Sequence, residues 1–311
     1  MRTIRIGTRE SQLASWQAMQ VKNLLAENGY ESELVFIKSE GDIDLVTPLY
    51  EIGVQGIFTR SLDLALLNDR IDVAVHSMKD VPTQLPKGIS QAAVLKRGPV
   101  NDLLVFKNET SRQEYATIND QSSNFTVATS SIRRKSQWLN KYPHHSIENL
   151  RGNVNTRLRK LQDENWDAAI FAQAGLERID LRPDHSMIID WMLPAPAQGA
   201  IVVVCREDDI NSLDACKKFS DRATEICTKV ERDFLRTLLG GCSTPISALA
   251  EIKNGELIFK GNILSLDGKE KLEVEKKLVV DEAPEIGKTA AAELLAKGGN
   301  EILNAIRYAT K

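Results

Sequence analysis

Between Thr129 and Lys160, eight basic residues (Arg133, Arg134, Lys135, Lys141, Arg151, Arg157, Arg159 and Lys160) stand against a single acid, Glu148. The 311-residue chain as a whole carries a formal net charge of −3. The arginines sit in Thr129-Ser130-Ser131-Ile132-Arg133-Arg134 and Leu150-Arg151-Gly152-Asn153-Val154-Asn155-Thr156-Arg157. Small hydroxyl, amide and glycine neighbours leave backbone N–H groups accessible, and a guanidinium fork grips a carboxylate or phosphate bidentately. Most charge runs are solvated helix faces. These charges fall at loop-to-helix junctions rather than at i,i+4 spacing with acidic partners, which favours an anion site.

Two other residues invite chemistry. Cys242 follows Gly240-Gly241 and precedes Ser243-Thr244-Pro245. Little bulk surrounds its sulfur, which suits a thiol open to covalent bonding, although a cysteine taken alone is more often a small buried hydrophobe. Most cytosolic cysteines are small buried hydrophobes, the reading that Cys205, Cys216 and Cys227 receive. Asp80, in Lys79-Asp80-Val81-Pro82, follows an apolar strand and precedes a proline turn. Its carboxylate either protonates a leaving group or steadies a transient cation, or it closes an Asx turn or pairs with Lys79. His76 reads as a positioning or packing residue, and Gln198-Gly199 as hinge or site lining.

The elements that must hold these residues follow from periodicity. Strands are expected at Ile4–Gly7, Glu33–Lys38 and Ile71–Val75, with helices at Gln12–Asn28 and Phe58–Asn68. This alternation implies a parallel sheet with ligands at the strands' C-terminal ends, where Asp80 falls. A second α/β unit has strands Leu103–Phe106, Thr126–Ala128 and Ala168–Ala172 and helices Ser131–Lys141 and Asn153–Glu164. Arg133 and Arg134 then lie in a first helical turn, where N–H groups and dipole also favour an anion. Ala200–Cys205 reads as a strand crossing back to the first sheet, and Asp209–Ser220 as a linker. A helix at Ala223–Leu239 precedes strands Ile246–Ile252, Glu256–Ser265 and Lys271–Val280, and one final helix runs from Pro284 to Ala309. That last part is a small α+β domain with an antiparallel sheet.

Composition narrows the class. Hydrophobic residues at 42% and charged residues at 27% suit a globular protein. A pI near 5.9 argues against a general nucleic-acid binder. No apolar run is long enough to span a bilayer, the first residues lead straight into a strand, and the four cysteines lack metal-site spacing. A reduced, cytoplasmic protein that binds neither membrane nor nucleic acid is expected.

Taken together, the motifs resemble the porphobilinogen deaminase (hydroxymethylbilane synthase) family. The resemblance rests on Arg5-Ile6-Gly7-Thr8-Arg9-Glu10-Ser11, Ala74-Val75-His76-Ser77-Met78-Lys79-Asp80-Val81-Pro82, the two arginine segments above, Ala174-Gly175-Leu176-Glu177-Arg178, Gln198-Gly199-Ala200 and Gly240-Gly241-Cys242. It implies two α/β domains like a periplasmic binding protein, residues 1–98 with 198–218 and residues 99–197, plus an α+β domain at 219–311. It also implies a monomer that joins four porphobilinogens head to tail with loss of ammonia, then releases hydroxymethylbilane by hydrolysis.

By the same resemblance, Cys242 holds a dipyrromethane cofactor through a thioether, and Lys79, Asp80, Ser131, Arg133, Arg134 and Gly175 contact that cofactor. Arg9, Ser11, Arg151, Arg157, Arg178 and Gln198 contact substrate, and Asp80 is catalytic. Phe58 either stacks on a pyrrole ring or packs as a core aromatic. The chain departs from the family pattern at Glu51 and Gln55, where lysines are common, and at Ala197, where glycine is frequent. A two-lobed receptor for a small carboxylate explains the lobes and the arginines but leaves Cys242 and the third domain without a role.

Overall fold

The computed structural model describes residues 2–38, 59–117, 125–238, 244–280 and 285–309. Three sheets organise the chain. The first begins with β1 (Ile4–Thr8), α1 (Gln12–Glu27) and β2 (Ser32–Phe36), then α2 (Arg60–Leu67), β3 (Val73–Ser77) and β4 (Ile89–Val94). The second contains β5 (Asp102–Phe106), α3 (Glu109–Thr117), β6 (Thr126–Ala128), α4 (Ile132–Lys141), β7 (Ser146–Glu148), α5 (Val154–Asp163), β8 (Ala168–Ala172), α6 (Gln173–Glu177) and β9 (Ser186–Ile189).

The chain then returns through β10 (Ile201–Arg206), which inserts between β3 and β4. The expected crossing strand is therefore present. Both sheets share one plan, with strand orders β2-β1-β3-β10-β4 and β7-β6-β8-β5-β9. In each, three strands run parallel, and the fourth, β10 or β5, is antiparallel to both its neighbours. The sheets are thus mixed rather than parallel. Each crossing strand enters from the opposite lobe, which reverses its direction.

Burial follows the alternation of side chains along the strands. Val73, Val75 and Val203 face α1, whereas Ala74, Val202 and Val204 face α2 with Leu62, Ala65 and Leu66. In the second sheet Leu104, Phe106 and Ile170 pack on Trp138 of α4, and Leu103, Val105 and Ala169 pack on Leu161 of α5. The segment read as a linker is a helix, α7 (Ile210–Lys217), capped by Asp209. Its Ala215 and Cys216 are buried in the first lobe's core, so it belongs to that lobe.

The third sheet, β11 (Ile246–Lys253), β12 (Glu256–Leu264) and β13 (Lys271–Val279), is an antiparallel meander packed on α8 (Arg222–Thr237). Gly261, expected to interrupt β12, lies within a continuous strand, and glycine is needed there because a Cβ would lie 2.6 Å from the Phe234 ring. The final helix is not continuous. It divides into α9 (Ile286–Leu294) and α10 (Asn300–Ala309) across a wide turn in which Gly298 has φ 106°. Glycine adopts that left-handed conformation without the steric penalty other residues meet.

Candidate active site

A cavity of about 610 Å³ opens between the two lobes and is bordered by the third domain at Leu235, Thr244 and Ile246. Twelve of the fourteen residues singled out from sequence line it: Arg9, Ser11, Lys79, Asp80, Ser131, Arg133, Arg134, Arg151, Arg157, Gly175, Arg178 and Gln198. The other two, Phe58 and Cys242, lie outside the described residues, as do Glu51 and Gln55. Thr244, two positions beyond Cys242, is on the cavity wall.

Local sequence explains the convergence. Ser11 caps α1, Ser131 caps α4 and Asn153 caps α5, each accepting a hydrogen bond from a backbone N–H of its own helix. Three helix N-termini, with their partial positive charge, therefore border one cavity. The basic segment divides in two. Arg133, Arg134, Arg151 and Arg157 line the cavity, while Lys135, Lys141, Arg159 and the half-buried Lys160 lie outside it. Lys38 also lines it, a residue read from sequence only as the end of a strand.

Sequence reasoning missed the residue that organises the cationic wall. Asp102, the first residue of β5, is completely buried. It pairs with Arg133 at 2.7 Å and Arg134 at 2.8 Å, and accepts a hydrogen bond from Gln198 Nε2 at 2.9 Å. Burial alone would raise its pKa, but Arg133 and Arg134 outweigh that and hold it well below the carboxylate range. One signal was available: an acid at the head of an apolar strand, in a chain whose buried arginines require a counter-charge. Arg133 and Arg134 also donate to the carbonyls of Leu193 and Ile170, both at 2.8 Å. Gln198 accepts from Lys79 Nζ at 3.3 Å, so it both lines the cavity and braces the crossing segment.

The hinge beside it is tightly built. Gly199 has φ 84°, and a Cβ there would lie 2.7 Å from the carbonyl oxygens of Gly98 and Pro99 on the opposite crossing segment. Only glycine fits. Ala197, where the sequence departs from the family pattern, is itself left-handed at φ 62°, and its N–H is held by Glu231. Arg178 donates to the Gly199 carbonyl at 2.6 Å and lies over the Trp16 ring at 5.5 Å, which joins the second lobe to the hinge and to α1.

Electrostatics define what the cavity lacks. Eight basic residues line it (Arg9, Lys38, Lys79, Arg133, Arg134, Arg151, Arg157 and Arg178) against two acids, Glu10 and Asp80. Burial pulls Lys79 down to about 8, and the nearby Arg134 adds to this. Burial also pulls Arg157 and Arg178 down to about 10. Such shifts mark cations that burial takes out of water. Arg134 Nε and Arg157 Nε are buried with no hydrogen-bond acceptor among the described residues. Asp80, in a 3₁₀ turn after β3, makes no hydrogen bond or ion pair among the described residues, so neither the Asx turn nor a direct pair with Lys79 forms. Its charge is nevertheless felt by Lys79 and Arg157.

His76, in β3, packs rather than catalyses. It is 6% exposed, its Nε2 has no partner among the described residues, and burial, with Arg9 nearby, pulls it down to about 4. Because the folded state disfavours protonation, the stability His76 confers is complete above pH 6.5 and declines as pH falls toward 4. Over that window the loss should reach about 3 kcal/mol. Urea unfolding of wild type and His76→Leu at pH 7 and pH 4.5 checks this. The variant should show a flatter pH dependence, and equal slopes would contradict the assignment.

Two α/β lobes around an arginine-lined cleft, with a third domain at its rim and two acids, Glu10 and Asp80, on its wall, define a two-lobed protein whose cleft suits a polyanion. Comparison with known proteins makes this specific. Residues 4–214 match the family model "Porphobilinogen deaminase, dipyromethane cofactor binding domain", and residues 225–296 match "Porphobilinogen deaminase, C-terminal domain". A protein of Desulforamulus reducens named porphobilinogen deaminase is 39% identical over 98% of this chain and 98% of its own. Another of the same name, from a Nitratiruptor species, is 40% identical over 96% of this chain and 95% of its own. Among solved structures, an ancestral cationic amino acid solute binding protein (AncCDT-1) superposes with a TM-score of 0.44 at 13% identity, over 70% of this chain and 87% of its own. That likeness is too distant to carry an argument. The chain belongs to the porphobilinogen deaminase family.

Proposed function

We infer that this cleft carries out the porphobilinogen deaminase (hydroxymethylbilane synthase) reaction, with Asp80 as the catalytic carboxylate and Cys242 as the point of covalent attachment for dipyrromethane. The carrying observation is a cavity wall with eight basic residues against two acids, Glu10 and Asp80. Each pyrrole of substrate and cofactor bears an acetate and a propionate, so the residues fit the group. Arg134 Nε and Arg157 Nε are donors in need of acceptors, and the surplus cations match a set of carboxylates. When bound, dipyrromethane supplies the pyrrole carbon to which substrate is joined.

The residues divide the work. Arg133, Arg134, Lys79, Ser131 and Gly175 hold the cofactor, while Arg9, Ser11, Arg151, Arg157, Arg178 and Gln198 receive substrate carboxylates. Guanidiniums depressed only to about 10 stay charged at neutral pH, so Arg157 and Arg178 do not titrate during turnover. Asp80 faces the electron-poor carbon left when porphobilinogen loses ammonia, and its carboxylate stabilises that developing cation. Because its oxygens are not engaged elsewhere among the described residues, Asp80 can also accept hydrogen bonds from pyrrole N–H groups and pass on a proton. Tethering at Cys242 makes each coupling effectively intramolecular.

The domain division proposed is 1–98 with 198–218, 99–197, and 219–311. Membership of the three sheets supports it. We further place the protein in the cytoplasm as a monomer. Three free cysteines, Cys205, Cys216 and Cys227, suit a reducing compartment. No helix among the described residues is long and apolar enough to cross a membrane. Incubation with porphobilinogen tests the reading. Ammonia release and uroporphyrin absorbance after oxidation are expected, and correctly folded, cofactor-loaded protein without turnover would refute it.

A further inference from the structure

The cationic wall is tied to the third domain through one buried amide. Gln137 lies one helical turn after Arg133 on α4 and is 5% exposed. Its Nε2 donates to the Leu193 carbonyl at 3.0 Å and to Ser247 Oγ at 3.0 Å, and its Oε1 accepts from the Leu193 N–H at 2.9 Å. The same Leu193 carbonyl accepts from Arg133 Nη1 at 2.8 Å. Gln137 therefore fixes both polar groups of the residue whose carbonyl holds Arg133. Ser247, completely buried, lies on β11 of the third domain, five positions beyond Cys242. Farther along α4, Asn140 donates to the Gly268 carbonyl at 2.7 Å in the turn between β12 and β13. The helix that carries Arg133 and Arg134 at one end is thus docked on the third domain along its remaining length.

We propose that Gln137 is a positioning residue, which sets Arg133 in register with the third domain that carries Cys242. This rests on the reading of Cys242 and Arg133 as cofactor holders. Arg133 has two anchors, Asp102 and the Leu193 carbonyl. Only the second connects to the third domain through Gln137. With that amide removed, Arg133 keeps its charge partner but loses the link that ties its position to the tethering domain. A misplacement on the order of 1 Å of a positioning group is enough to slow a reaction by up to about a hundredfold.

The test uses Gln137→Met and Ser247→Ala holoenzymes. In resting Gln137→Met the Leu193 amide should exchange hydrogen faster than in wild type. Intact mass should show one dipyrromethane on each variant. With limiting porphobilinogen, the ladder of enzyme-bound intermediates should shift toward its shortest members, and KM should rise about fivefold, the factor for one neutral hydrogen bond. A residue with only a structural role would lower the melting temperature and leave the ladder and KM unchanged. That outcome in both variants overturns the proposal. A shift in Gln137→Met with none in Ser247→Ala overturns the link to the third domain. Should Gln137→Met not accumulate, Ser247→Ala decides. Absence of any adduct on wild-type Cys242 would instead refute the underlying reading of the site.

Discussion

Asp80→Asn should fold, retain its cofactor and lose turnover, with kcat lower by about 10²–10⁴-fold, the range for loss of a positioned acid–base group. The substitution keeps size and polarity but removes the charge. Asp80 and Glu10 are the two acids on the cavity wall, and Glu10 stands apart at the turn before α1. Asp80 is free among the described residues to face a developing cation, and its removal leaves the surrounding guanidiniums to oppose that charge. KM should change little, because the proposed contacts to substrate carboxylates are arginines that the substitution leaves in place. Steady-state kinetics with intact mass on the same sample check this. Turnover within tenfold of wild type would remove Asp80 from the chemistry.

Asp102→Ala should have the largest effect on stability. Arg133 and Arg134 are each 5% exposed, and Asp102 is their shared acidic partner. Removing one partner from a buried ion pair costs about 3–5 kcal/mol, because the remaining charge stays desolvated. For a domain of about 100 residues that corresponds to a melting temperature lower by about 12 °C or more. Gln198 would also lose an acceptor, loosening the contact that runs through it to Lys79. A melting temperature within about 2–3 °C of wild type, less than 1 kcal/mol would produce, would show that the arginines do not depend on Asp102.

Local order was legible where it was written in short motifs. Ser131 and Asn153 were read as the first residues of helices beside arginines, and the structure makes each the cap of that helix. Apolar alternation located β5, β6, β8 and the third-domain meander to within a residue or two. β4 escaped because Ile-Ser-Gln-Ala-Ala-Val carries a weak strand pattern, and its neighbour β10 lies more than a hundred residues away. α7 was mistaken for a linker because its eight residues are short of a clear apolar stripe, half of them polar, and the burial of Ala215 and Cys216 is a tertiary fact. The site was legible as a set of residue types but not as a network. Asp102 meets Gln198 across 96 positions and Gln137 meets Ser247 across 110, and no local pattern encodes such pairs.

Intact mass of the purified protein, recorded beside Cys242→Ser, tests the central claim most directly. Wild type should exceed its 311-residue sequence mass by one dipyrromethane, and the variant should match its sequence mass and be inactive. Active wild type at the bare sequence mass, or an adduct persisting on Cys242→Ser, would contradict the account.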